Sequence, residues 1–200
     1  MPHPIAIPEI LAARCREVEL LVLDVDGVLT DGIIAIDDRG VETKRFFVRD
    51  GSALALWRKA GHRAAILSGR WSPAVERRAA ELGLSPVIQA ARDKGARLRE
   101  LVARLGLEFR QVCVMGDDLP DLPALRLAGL SACPGDAVPE VRAVCDLVSN
   151  RPGGRGAVRG IVEAILRAQG RWDNLVRSDL DDPGSSPPEG RGREDPSPPG

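Results

Sequence analysis

Residues 19–32 read ELLVLDVDGVLTDG: an unbroken apolar run, Leu20 to Leu23, that ends in Asp24, Asp26 and Gly27. A continuous apolar run closing on an acid is what a strand buried on both faces looks like. Further along, RAAILS (63–68), VCVM (112–115), LSAC (130–133) and DLVS (146–149) repeat the pattern, with a shorter PVIQA at 86–90. Helical patterns lie between them. One runs from Gly51 to Ala60 and stops at Gly61, a natural C-cap residue. Ser72 and Pro73 supply the cap and first turn of a helix with the stripe Val75, Ala79 and Leu82. Leu98, Leu101, Val102 and Leu105 continue the series from a start near Asp93, and Val158, Ile161, Val162 and Ile165 mark the last helix. Strand and helix in steady alternation predict an α/β fold, a Rossmann-like three-layer sandwich with a central parallel sheet. IIAID and VETKRFFV, joined by a polar turn at 37–40, predict a small β-hairpin inserted after the first strand.

The bulk properties frame this reading. The chain has 200 residues, 44% of them hydrophobic, with a net charge of −1. That length buries a real core, and the charge gives nucleic acid or an anionic membrane no reason to bind. Three Trp, three Phe and no Tyr make base-stacking platforms scarce. Cys15, Cys113, Cys133 and Cys145 show no CxxC spacing, so no disulfide framework is indicated, and a cytoplasmic, reducing setting is expected. No secretory leader is evident at the N-terminus. No apolar run approaches the roughly 18 residues that span a bilayer. The two histidines eliminate chemistry: His3 lies in a Pro-flanked terminus and His62 in a turn expected to be solvated, so a Ser-His-Asp triad or a histidine zinc site lacks its parts. Residues 1–17 read as an N-terminal extension and 18–172 as the folded domain. The Pro/Gly/Ser-rich residues 173–200 are expected to be disordered.

In parallel sheets ligands bind beyond the carboxyl ends of the strands. Asp24 and Asp26 come after the first strand, Ser68, Gly69 and Arg70 after the second, and Asp117, Asp118 and Asp121 after the third; Lys94 opens a helix between them. Each residue type suits phosphoryl transfer. A carboxylate such as Asp24 attacks phosphorus once both negative charges are compensated, and Mg²⁺ held by Asp24 and Asp117 would do that. Asp26, two residues on, can protonate the leaving oxygen and then activate water. Ser68 and the N–H groups near Gly69 can hold phosphate oxygens, and Lys94 neutralises the remaining charge. Taken singly, each motif has a plainer reading as a capped turn or a solvated helix start. Their occurrence together, in order and all at strand ends, favours the catalytic one.

These motifs resemble the haloacid dehalogenase superfamily, whose four signatures run as DVDGV, the Ser of ILSG, the Lys of RDKG and GDDLPD. DVDGVLTDG, KRFFVRDG, SGR, GDDLPDLP and RPGGRGAVR are similar to one branch, the 3-deoxy-D-manno-octulosonate 8-phosphate phosphatases and their sialic-acid-type relatives, over about residues 18–172. The resemblance implies Asp24 as nucleophile and Asp26 as general acid/base, with the Asp26 backbone carbonyl joining Asp24 and Asp117 on Mg²⁺. It implies that Asp118 and Asp121 orient those ligands, and that Ser68, Gly69 and Lys94 hold the phosphate. It further implies sugar-acid contacts at Asp26, Arg49, Asp50, Gly51, Arg70, Arg78 and Lys94. The hairpin would stand in place of a cap domain and serve homotetramer assembly, and Gly153 to Gly156 would fold over the site. Phe47 and Ala55 depart from the branch pattern in the sugar-facing region. The alternatives are therefore a phosphatase of the same mechanism for another small ester, such as a nonulosonate 9-phosphate, and a non-catalytic tetrameric scaffold.

Overall fold

The computed structural model describes residues 7–181; the expectations for His3 and for the tail beyond 181 fall outside them. The strands are β1 Leu20–Leu23, β2 Ala35–Ile36, β3 Glu42–Thr43, β4 Arg63–Leu67, β5 Val87–Ile88, β6 Val112–Met115, β7 Leu130–Cys133 and β8 Leu147–Val148. The helices are α1 Glu9–Glu17, α2 Val48–Lys59, α3 Pro73–Leu82, α4 Lys94–Leu105, α5 Leu122–Leu125, α6 Pro139–Arg142, α7 Ala157–Ala168 and α8 Trp172–Asp181. Six strands form one parallel sheet in the order β5-β4-β1-β6-β7-β8, and β2 pairs antiparallel with β3 in a separate hairpin.

Every residue of β1 is buried because the sheet is covered twice. Leu21 and Leu23 join Ile66 and Met115 under Leu54 and Trp57 of α2 and Ile161 and Ile165 of α7. Leu20 and Val22 join Ala65 and Val114 under Leu98 and Leu101 of α4 and Leu125 of α5. Each such leucine contributes about 1.5–3 kcal/mol by leaving water, so the apolar run itself places β1 at the centre. From β1 the chain fills the sheet outward through β4 and β5, then returns to add β6, β7 and β8 on the other side. The order therefore reverses between β1 and β6, where a crevice opens at the carboxyl ends.

The hairpin forms where predicted but is short. Its turn is closed by the Asp37 carboxylate, which accepts from the N–H of Arg39 at 2.9 Å and of Val41 at 2.8 Å. Four expectations need correction. Residues 9–17 are not a mere extension: α1 buries Ala12 and Cys15, and Arg14 pairs with Asp146 at 2.6 Å. The helix expected from Gly51 begins at Val48, which puts Asp50 in its first turn. The domain does not stop at residue 172, because α8 continues to Asp181 with Trp172 buried and Leu175 and Val176 against the core. His62 is half-buried rather than solvated, its ring 4.4 Å from that of Trp57 and its Nε2 2.8 Å from Gln169 Oε1.

Candidate active site

Asp24 leaves β1 with its N–H bonded to the Met115 carbonyl at 3.0 Å, so the pairing of β1 with β6 carries it to the crevice. Asp117 leaves β6 beside it. Lys94, the first residue of α4, reaches in from the neighbouring connection. Its side chain is 5% exposed, with Nζ 2.9 Å from Asp24 Oδ1 and 2.5 Å from Asp121 Oδ1. Asp121 Oδ2 in turn accepts from the N–H of Asp117 at 2.9 Å and of Asp118 at 3.3 Å, which folds the acidic loop back on itself. Ser68 is buried at the end of β4, its N–H bonded to the Ile88 carbonyl at 2.9 Å.

Two glycines make this closeness possible. Gly27 has φ +96°, and a Cβ there would lie 2.0 Å from Asp117 Oδ2. At Gly116 a Cβ would lie 2.4 Å from the Asp121 Cβ. Behind Gly27 stands Gly153, whose added Cβ would fall 1.7 Å from the Gly27 carbonyl oxygen, while Gly154 N–H bonds the Val28 carbonyl at 3.0 Å. The GGRG segment thus props the loop after β1 and leads into α7.

A cavity of about 320 Å³ joins these groups, lined by Asp24, Asp26, Gly32, Ser68, Gly69, Arg70, Lys94, Asp117, Asp118, Pro120 and Asp121. Its electrostatics are unbalanced. Burial pushes the Asp24 carboxyl up to about 6 against the pull of Lys94. Burial, then repulsion from Asp24 and Asp121, pushes Asp117 up to about 8. Burial would draw Lys94 down, but Asp24 and Asp121 outweigh it and hold the ammonium above its usual value. Asp117 Oδ1 is buried without a hydrogen bond, and Asp24 Oδ1 meets the Lys94 ammonium as an ion pair that lacks hydrogen-bond geometry. That arrangement is costly unless a cation meets both carboxylates. Oxygens of Asp24, Asp117 and Asp121 lie within 4.8 Å of one another. Since Asp121 is already engaged by Lys94 and the loop N–H groups, Asp24 and Asp117 are the available side-chain ligands. Such a donor set fits a hard divalent ion of the Mg²⁺ type.

The structure therefore brings together Asp24, Asp26, Ser68, Gly69, Arg70, Lys94, Asp117, Asp118 and Asp121. It does not bring Arg49, Asp50, Gly51 or Arg78 to the cavity of their own chain. Asp50 is 1% exposed and accepts from the N–H groups of Gly156 at 3.1 Å and Arg159 at 2.8 Å, so it caps α7. Arg49 is exposed on the first turn of α2. Arg78 is half-buried over the Phe46 ring at 5.9 Å, pairs with Glu81 at 2.8 Å, and packs against Gly51, where a Cβ would lie 2.4 Å from its guanidinium. Two residues that motif reading missed are Glu42 and Lys44 of the hairpin, whose side chains turn back to Asp26 and Arg70. The only sequence signal for them is their i, i+2 spacing, which puts both on one face of the β3 strand and its extension.

Residues 35–129 match the haloacid dehalogenase-like hydrolase family. The 3-deoxy-D-manno-octulosonate 8-phosphate phosphatase of Escherichia coli K12 is 38% identical over 161 residues, spanning 80% of this chain and 86% of its own. Its Yersinia pestis namesake is 39% identical over 163 residues, 82% of this chain and 87% of its own. The Moraxella catarrhalis phosphatase, solved with magnesium ion, phosphate ion and KDO, superposes with a TM-score of 0.84 at 40% identity, covering 86% of this chain and 98% of its own. The cobalt-bound form of the Haemophilus influenzae phosphatase gives 0.80 at 35% identity, covering 84% and 99%. Fold, motif order and this degree of identity agree: the chain belongs to the haloacid dehalogenase superfamily, in its 3-deoxy-D-manno-octulosonate 8-phosphate phosphatase family.

Proposed function

We propose that this protein hydrolyses a sugar-acid phosphate, 3-deoxy-D-manno-octulosonate 8-phosphate, through a phosphorylated Asp24. The observation that carries the reading is the buried Asp24 carboxylate, held by Lys94 beside an Asp117 whose Oδ1 finds no hydrogen bond among the described residues. Asp24 attacks phosphorus, the ester P–O bond breaks, and its electron pair leaves on the sugar oxygen, which takes a proton from Asp26. Water then attacks the aspartyl phosphate and gives a proton to Asp26. The P–O bond to Asp24 breaks and inorganic phosphate departs. Ser68, the N–H near Gly69 and Lys94 bind the phosphoryl oxygens throughout. Asp24, Asp117 and the Asp26 carbonyl would hold Mg²⁺, with Asp118 and Asp121 orienting them; when bound it would compensate the charges of nucleophile and phosphate together.

The substrate's carboxylate falls to Arg70, the guanidinium at the cavity wall, since a planar fork binds a carboxylate through two hydrogen bonds. The hairpin exposes Ile33, Ile34, Ile36 and Val41, with Val48 beyond it; such a patch marks an interface and supports a homotetramer. In that assembly Arg49, Gly51 and Arg78 would act at a subunit boundary. The free cysteines suit a cytoplasmic setting, and no helix among the described residues is long and apolar enough to cross a membrane. A panel of sugar-acid phosphates, assayed for Mg²⁺-dependent phosphate release, tests the substrate. A preference for a neutral sugar phosphate would overturn it.

A further inference from the structure

The hairpin carries a charged pair into the reaction site. Lys44 Nζ contacts Asp26 Oδ1 and lies 3.0 Å from Glu42 Oε1, with the lysine side chain only 3% exposed. Glu42 in turn contacts the Arg70 guanidinium. Thus two carboxylates and two cations close a ring: Asp26, Lys44, Glu42, Arg70. A lysine this deeply buried is costly unless paired, so the ring holds it in place. The two oxygens of Asp26 are treated differently. Oδ1 is anchored by Lys44, whereas Oδ2 is buried without a hydrogen bond, the Arg70 Nε standing 3.5 Å away. Glu42 shows the same pattern, Oε2 bonded by Arg70 and Oε1 buried without a hydrogen bond, but Asp26 alone of the two lines the cavity with Asp24. In a cavity-lining carboxylate this leaves Oδ1 fixed by a hydrogen bond, while Oδ2, ion-paired with Arg70 without one, keeps a lone pair for the proton.

We propose that Lys44, backed by Glu42, is the positioning residue that fixes the Asp26 carboxyl so that Oδ2, which carries no hydrogen bond, serves the leaving group and the attacking water. The hairpin is on this view part of the catalytic apparatus of its own chain and not solely an assembly surface. The inference rests on the acid/base reading of Asp26, and its consequence separates two half-reactions. p-Nitrophenolate leaves without help from an acid, so loss of aim spares phosphorylation by p-nitrophenyl phosphate but slows attack of water on the phosphoenzyme. A primary alkyl phosphate needs the proton in the first step and suffers there.

The test is rapid-mixing kinetics on Lys44→Met, Lys44→Arg and Glu42→Gln, with Asp24→Asn as reference. Lys44→Met is expected to give a burst of about one p-nitrophenolate per site, then slow turnover. Its kcat on an alkyl phosphate should be about 10- to 100-fold lower, the range for a misplaced acid/base. Lys44→Arg should restore part of the rate, and Glu42→Gln should show a weaker form of the same burst, which keeps the test decisive if Lys44→Met is poorly folded. Asp24→Asn must show neither burst nor turnover; activity there would remove the underlying reading, whatever Lys44 does. The inference is overturned if Lys44→Met and Glu42→Gln keep wild-type kcat on the alkyl phosphate, or lose rate equally on both substrates with no burst.

Discussion

Asp50 offers a clean separation of structure from recognition. Replacing it with Ala removes the carboxylate that receives the N–H groups of Gly156 and Arg159 at the start of α7. Gly156, the N-cap residue, has no side chain to substitute for it. Loss of a cap costs about 0.5–2 kcal/mol, and a stranded buried donor adds about 1–3 kcal/mol. Against this, burial outweighs the two N–H groups and raises the Asp50 carboxyl above its ordinary value, so removing the charge returns part of the loss. A net cost of about 1–3 kcal/mol lowers Tm by roughly 2–12 °C in a chain of this size. The same raised value fixes the sign of the pH dependence. A folded value above the unfolded one means that ionisation costs stability as pH rises through the raised value. The Tm gap between wild type and Asp50→Asn should therefore narrow as pH rises from the ordinary carboxylate range through the raised value. Thermal melts and KM for the sugar-acid phosphate are measured on the same preparations. An unchanged Tm with KM raised tenfold would refute the cap assignment and restore Asp50 to the substrate.

Three other outcomes are expected. Since Asp117 is pushed up to about 8 and Asp24 to about 6, protons compete with the cation: calorimetric Mg²⁺ affinity should fall roughly 50-fold from Asp117 alone between pH 8 and pH 6. The metal-free protein should melt higher at pH 6, and a flat profile would contradict both. Gly27→Ala puts a methyl 2.0 Å from Asp117 Oδ2 at a φ of +96°, and kcat should drop about 100-fold or more; near-normal turnover would show that the loop accommodates a side chain. Arg70→Ala should lower kcat/KM for the sugar-acid phosphate about 10- to 100-fold, the equivalent of about 1.5–3 kcal/mol, while changing acetyl phosphate much less. Equal losses on both would remove Arg70 from carboxylate recognition.

What could be read from the chain was local or periodic. The run at 20–23 ends in acid because β1 is buried and stops at the crevice, and a parallel sheet brings such ends together without further information. Hence Asp24, Ser68, Lys94 and Asp117 were legible as one site. The cap that Asp50 makes on α7 was not, because its partners lie 106 and 109 residues away. Lys44 was not, because an i, i+2 charged pair on a hairpin is ordinarily solvated; only the fold of the loop after β1 turns it inward. Helix α8 was hidden by the Pro, Gly and Ser that crowd the sequence from Pro183 onward, although Trp172, Leu175 and Val176 have helical spacing.

The proposed mechanism turns on a covalent phosphoenzyme at Asp24. Acid quenching during turnover with Mg²⁺, then peptide mass spectrometry, tests it directly. One added phosphoryl group is expected on the peptide spanning Leu20 to Asp31, located at Asp24, labile to hydroxylamine and absent from Asp24→Asn. Turnover by Asp24→Asn at a rate near wild type, or a phosphoryl group found on another residue, would contradict it.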